Sequence, residues 1–149
     1  MKTAALICSI ALTLLVPTLA RAADDDNATE LKRIGGRFER HFQNAAGITF
    51  RSVKDVDGDQ STVTTFDDVG NVIESHGSTI KVEKRGPVRV LSFFNLVVTA
   101  GPDKGHVELG TSSYVYRMEG DVFTEVWGLL EGDSSPPRMF TWRRVKDTK

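Results

Sequence analysis

The sequence predicts an all-β protein: eight antiparallel strands behind a short helix. Three observations carry this. First, the chain after Gly36 divides into eight segments of alternating or β-rich character: Arg37–Phe42, Ile48–Val56, Gln60–Phe66, Val72–Lys84, Val88–Ala100, His106–Met118, Val122–Leu130 and Arg138–Val145. Second, most of the connections are short and rich in Gly, Asp and Pro, as in Arg85-Gly-Pro87, Gly101-Pro-Asp-Lys-Gly105 and Glu119-Gly-Asp121. Third, no long amphipathic helix separates the segments, which excludes parallel βαβ units. Successive hairpins favour a meander, and eight strands either close into an up-and-down barrel or pack as a sandwich. Closure is favoured because it removes exposed edges that would template aggregation.

The N-terminus reads differently. Met1-Lys2 is a short positive start, Ala4–Val16 is an apolar run without a charge, and Pro17 breaks it. Ala20-Arg21-Ala22 then has the small-x-small pattern of a signal-peptidase site. The run is shorter than the roughly 20 residues a bilayer span needs. The expected organisation is a signal peptide over 1–22, a leader and short helix over 23–35, and a β-barrel domain over 36–149. The expected location is outside the cytoplasm, periplasmic or secreted. Cys8 is the only cysteine and lies inside the apolar run. Ile7 precedes it, where a lipoprotein signal needs a small residue, so lipidation is not expected. The mature chain then has no thiol, which excludes disulfides and thiolate catalysis and leaves stability to the core.

After the polar leader Asp24–Asn27, Asn27 and Glu30 have the spacing of a capping box, with Leu31 and Ile34 on one face. Gly35-Gly36 ends the helix, since glycine accepts the left-handed conformation at a C-terminus. Asn27-Ala28-Thr29 is also a glycosylation sequon.

The stretch "DVDGDQSTV" from Asp55 to Val63 admits a calcium loop or a tight turn. An EF-hand places glycine at position 6 and glutamate at position 12 of its loop. Here Gly58 falls fourth and Phe66 twelfth. Asp57-Gly58 between alternating segments is instead a hairpin signal, because its turn requires positive φ.

Several short motifs carry a resemblance to a family. Gly36-Arg37-Phe38 follows the helix where lipocalin-like (calycin) barrels carry Gly-x-Trp, with phenylalanine here in place of tryptophan. "TFDDVGNVIE", "YVYRMEGDVFTEVWG" and "FTWRRVK" are similar to the Phe-Asp-x-x-Gly turn and last hairpins of small secreted bacterial members. The resemblance spans most of the mature chain. It implies an eight-stranded antiparallel lipocalin-like barrel in which an arginine of the last strand, Arg143 or Arg144, packs over the first-strand aromatic, Phe38, and closes one end.

Alternation nominates Phe50, Phe66, Phe94, Tyr114, Tyr116 and Met118 as inward residues, either lining a ligand pocket or filling the core. A pocket with few polar groups suits a small hydrophobic molecule. The alternative is a solidly packed, non-enzymatic interaction module that presents loops such as Gly101–Gly105 or Gly132–Pro137.

No metal site, cofactor or catalytic signature is expected. His106 and Glu108 share a strand face near Asp103, but His41 and His76 sit on other strands, and a metal needs three or four converging ligands. Ser75-His-Gly-Ser78 and Gly110-Thr-Ser-Ser113 lack a nucleophile elbow. Glu119 with Asp121, and Glu131 with Asp133, flank turns where water keeps them ionised. With 19 basic and 20 acidic residues, a net charge of −1, the chain offers no footprint for nucleic acid or anionic lipid. Lys81, Lys84, Arg85 and Arg89 read as a solvated hairpin tip, and the identity of any protein partner is left open.

Overall fold

The computed structural model describes the backbone of residues 18–130 and 136–146, with side chains from Asp26 onward. Most of the expected signal peptide, Cys8 included, lies outside the described residues. So do Glu131, Asp133 and most of the loop 132–137.

Helix α1 (Thr18–Ile34) leads into β1 (Gly36–Gln43), β2 (Thr49–Asp57), β3 (Gln60–Phe66), β4 (Val72–Arg85) and β5 (Val88–Ala100). There follow β6 (Val107–Glu108), β7 (Ser112–Glu119), β8 (Val122–Trp127) and β9 (Arg138–Arg144). The first five strands pair antiparallel in chain order; β5 pairs with both β6 and β7, and β8 joins β7 to β9. Strand β9 returns to β1 through Phe38↔Arg144 and Glu39↔Arg143, and Val145 N–H donates to the Arg37 carbonyl at 2.8 Å. The result is a closed eight-stranded antiparallel barrel, with the two-residue β6 as a side pairing.

The element boundaries differ from expectation in three places. The segment His106–Met118 is two strands, because Leu109-Gly110-Thr111 interrupts the ladder. Strand β8 ends at Trp127 rather than Leu130, since Gly128 takes φ of 78° and turns the chain. Helix α1 begins before Asn27, so the expected cap is not used. The Asn27 Oδ1 instead accepts the Val82 backbone N–H at 2.8 Å and fastens the helix to β4.

Register follows from turns. Asp57↔Gln60 pairing leaves Gly58-Asp59 at the centre of the β2–β3 turn. Gly58 has φ of 57° while Asp59 does not have positive φ, the pattern of a II′ hairpin with glycine first. The turn reading of this stretch therefore holds, with its centre one residue later than expected.

The barrel has two dissimilar ends. The helix, the β2–β3, β4–β5 and β7–β8 turns and the end of β9 gather at one. There Leu31 and Ile34 of α1 meet Phe38, Val56, Val82, Tyr116, Met118, Phe123 and Trp142 in one continuous buried cluster. Phe38 is 1% exposed and Phe123 2%, with ring centroids 5.7 Å apart. Fully burying a large apolar side chain contributes about 1.5–3 kcal/mol, so this plug holds much of the fold's stability. The long β1–β2, β3–β4, β5–β7 and β8–β9 connections lie at the other end, and Leu109 and Leu129 among them are exposed.

A candidate ligand cavity floored by a buried ion pair

Between the plug and the open end lies a cavity of about 310 Å³. Its apolar wall is Val63, Ile80, Leu91, Phe93, Leu96, Tyr114 and Trp127; its polar side is Lys54, Ser61, His76, Ser78, Glu108 and Ser112. The volume is at the lower end of the roughly 300–1,000 Å³ usual for small-molecule sites, and a largely apolar lining with a few polar groups is the usual pattern.

The aromatic wall is made by three strands. Tyr114 from β7 and Trp127 from β8 stack at 4.8 Å between centroids, and Phe93 from β5 tilts against Trp127 at 5.5 Å. Offset stacking of this kind fixes ring orientation more firmly than aliphatic packing does. Asn95, the one described non-glycine residue with positive φ (54°), sits beside a bulge in the β4–β5 ladder. Beyond this irregularity Leu96 lines the cavity as Phe93 does, although strict alternation would put the two on opposite faces.

Lys54 of β2 forms the floor. It is only 5% exposed, and its Nζ is in direct contact with the Glu125 carboxylate of β8, itself 2% exposed. The same Nζ donates to Tyr114 Oη at 3.2 Å, and Trp127 Nε1 donates to the other Glu125 oxygen at 3.2 Å. Three aromatic rings, those of Tyr114, Phe123 and Trp142, lie within 5.4 Å of Nζ. Burial lowers the Lys54 pKa, and the nearby Arg40 guanidinium adds repulsion in the same direction. The adjacent Glu125 carboxylate opposes both by favouring the ammonium form. Arg40 is itself clamped among the Phe42, Phe140 and Trp142 rings, its guanidinium 4.4–4.8 Å from their centroids. On the polar side, burial holds the His76 imidazole below its usual pKa; Glu74 opposes that shift and Lys54 adds to it. Burial raises the Tyr114 phenol well above its usual range, so it stays protonated.

Of the six aromatic and sulfur residues nominated from alternation, Tyr114 alone lines this cavity. Tyr116 and Met118 face the interior but belong to the plug, where the Tyr116 hydroxyl donates to Glu30 at 2.9 Å. Phe50 stacks on its cross-strand partner Phe42 at 5.5 Å, toward the β1–β2 turn. Phe66 pairs with Arg51, whose guanidinium covers its ring at 4.5 Å, on the face opposite Ser52 and Lys54. Phe93, not Phe94, faces inward, because Phe93 pairs with the buried Ile80 and the phase of the two adjacent phenylalanines is set by that pairing.

At the plugged end, Arg144 lies 4.5 Å over the Phe38 ring and donates to the Gly35 and Arg33 carbonyls, whereas Arg143 is exposed. A Cβ on Gly36 would fall 2.5 Å from Arg144 Nη1, so the guanidinium needs glycine there. Arg89, expected at a solvated tip, is instead half-buried against Glu30 at 3.2 Å. Glu108 and His76 line the cavity mouth and wall, and among the described residues no three His, Cys, Asp or Glu side chains are grouped to hold a metal. No described helix is long and apolar enough to cross a membrane.

Lys54 and Glu125 were missed by sequence reasoning, although a signal existed. Lys54 is in phase with Phe50, Ser52 and Val56, and Glu125 with Phe123 and Trp127, so each charge stands at an inward position. Two opposite charges at core positions of different strands predict a buried pair. Comparison of the chain with protein-family models, with characterised proteins and with solved structures gave no match.

Proposed function

We propose that this protein is an exported, lipocalin-like binding protein that holds a small, mostly apolar molecule inside its barrel. The observation that supports this most is the cavity of about 310 Å³ behind the Phe93–Tyr114–Trp127 wall. The space is lined mainly by apolar and aromatic side chains with a few polar groups among them, the usual composition of a small-molecule site. The guest has an apolar body, which lies on the aromatic wall, and one polar end, which reaches Lys54 or the serines opposite. The sequence pattern at residues 1–22 supports export, and the Arg144–Phe38 closure is the arrangement the family resemblance implies.

The test is dye binding by the wild-type protein and by a cavity-filling variant. A naphthylamine dye that fluoresces in apolar sites is expected to bind saturably and to quench Trp127. Leu91→Trp, which fills the cavity, is expected to abolish dye binding while preserving the fold by circular dichroism. Equal dye binding by both proteins would sink the reading in favour of a barrel that recognises partners through its surface loops.

A further inference from the structure

We propose that Lys54 captures carbonyl compounds, so that the guest is an apolar aldehyde or ketone held as an imine. The inference deepens the binding reading above and rests on it. Four features of the site argue for it. Lys54 lines the cavity and yet is only 5% exposed, so a guest within reach of its amine is shielded from bulk water. The Glu125 carboxylate touches Nζ and provides a base for the ammonium proton. The Tyr114 hydroxyl, 3.2 Å from Nζ, is placed to donate to a carbonyl oxygen arriving at that nitrogen. Burial of the amine and the nearby Arg40 guanidinium disfavour a fully charged lysine, which is how enzymes that use lysine nucleophiles activate them.

The step balances within the site. Glu125 takes one proton from the ammonium, and the nitrogen lone pair attacks the carbonyl carbon to form the C–N bond. The two hydrogens left on nitrogen depart with the carbonyl oxygen as water, giving a C=N bond. The proton on Glu125 returns to the imine nitrogen and restores a cation beside a carboxylate. No redox partner is needed.

A structural ion pair is the competing explanation, and one experiment separates the two. The purified protein is incubated with nonanal or cinnamaldehyde, reduced with borohydride, digested and mapped by mass spectrometry. Cinnamyl alcohol, which cannot form an imine, reports on cavity binding by quenching Trp127. The expected result is one dominant adduct at Lys54, ahead of the exposed Lys81 and Lys146, and its loss in the charge-neutral double variant Lys54→Gln/Glu125→Gln. Adducts distributed over exposed lysines with none at Lys54, while the alcohol still binds, would overturn the imine and leave the binding reading standing. Failure of the alcohol and both aldehydes to bind would overturn both. Mapping the unmodified chain decides the matter even where a variant fails to fold.

Discussion

Glu30 and Glu125 are both buried carboxylates inside one barrel, each with a tyrosine nearby, and they differ in their cations. Glu30 meets two arginines, Arg33 and Arg89, each at 3.2 Å, and accepts from Tyr116 at 2.9 Å. Glu125 meets one lysine and an indole N–H. Arginine keeps its charge in any protein setting, whereas a buried lysine surrenders its proton readily. The first cluster thus locks α1 onto the strands at the plugged end. The second leaves a titratable amine facing an open space. The difference teaches that the same fold can hold buried charge in two ways: as a fixed brace between helix and strands, and, on the proposal made above, as a recognising group beside a cavity.

The largest expected effect tests that asymmetry of packing. Phe38→Ala, in the filled half, should cost about 3–5 kcal/mol of unfolding free energy, while Phe93→Ala, at the cavity wall, should cost roughly half as much. Urea denaturation of both variants measures the contrast, and equal losses would mean the two halves are packed alike.

A comparable effect is expected at the lysine side. Glu125→Ala leaves the buried Lys54 side chain without its carboxylate partner and should cost about 3–5 kcal/mol. Replacing both partners with apolar residues, Lys54→Met with Glu125→Leu, should recover most of that loss. A double variant as unstable as the single one would show that the pair is itself a net stabiliser.

Above about pH 10 the tyrosines of both halves should make stability fall. Burial raises the Tyr114 and Tyr116 phenols above their usual range, with the Glu30 hydrogen bond adding to the shift at Tyr116. In the unfolded chain both ionise near pH ~10. Above that pH the unfolded state has lost protons that the folded state keeps, so stability falls by up to about 1.4 kcal/mol per pH unit per tyrosine. Thermal melts from pH 8 to 11 should show the decline begin near the phenol pKa. Tyr116→Phe should reduce its slope.

The smallest effect is local. Gly58→Val should cost about 1–2 kcal/mol through its positive φ alone, since nothing lies within 4 Å of a Cβ at that position. A melting temperature unchanged from wild type would remove the II′ turn from the account.

The number and order of the barrel strands were legible because turns and alternation are local signals. Closure depends on the long-range pairing of β9 with β1 and was only favoured over a sandwich by the removal of exposed edges. Asp57-Gly58, Arg85-Gly86-Pro87 and Gly120 mark hairpins whatever the rest of the chain does. The binding surface was less legible, for a physical reason. Alternation gives two faces per strand but not which one is inner, so adjacent Phe93 and Phe94 could not be ranked without the Ile80 pairing. The irregularity near Asn95 then shifted the phase for Leu96. Depth along the barrel was equally hidden: Tyr114 and Tyr116 share a face, but only contact with Glu30 of α1 puts the second in the plug. Aromatic residues drew the candidate list toward hydrophobicity, while the informative oddities were Lys54 and Glu125, charges in phase with apolar neighbours.

Residue-resolved NMR during titration with a small apolar dye tests the central claim, that one half of the barrel is filled and the other receives a guest. The account predicts saturable shifts at the Leu91, Phe93 and Tyr114 amides and the Trp127 indole, with Phe38, Phe123 and Ile34 unmoved. Shifts spread over both halves, or confined to outer loops, would contradict it.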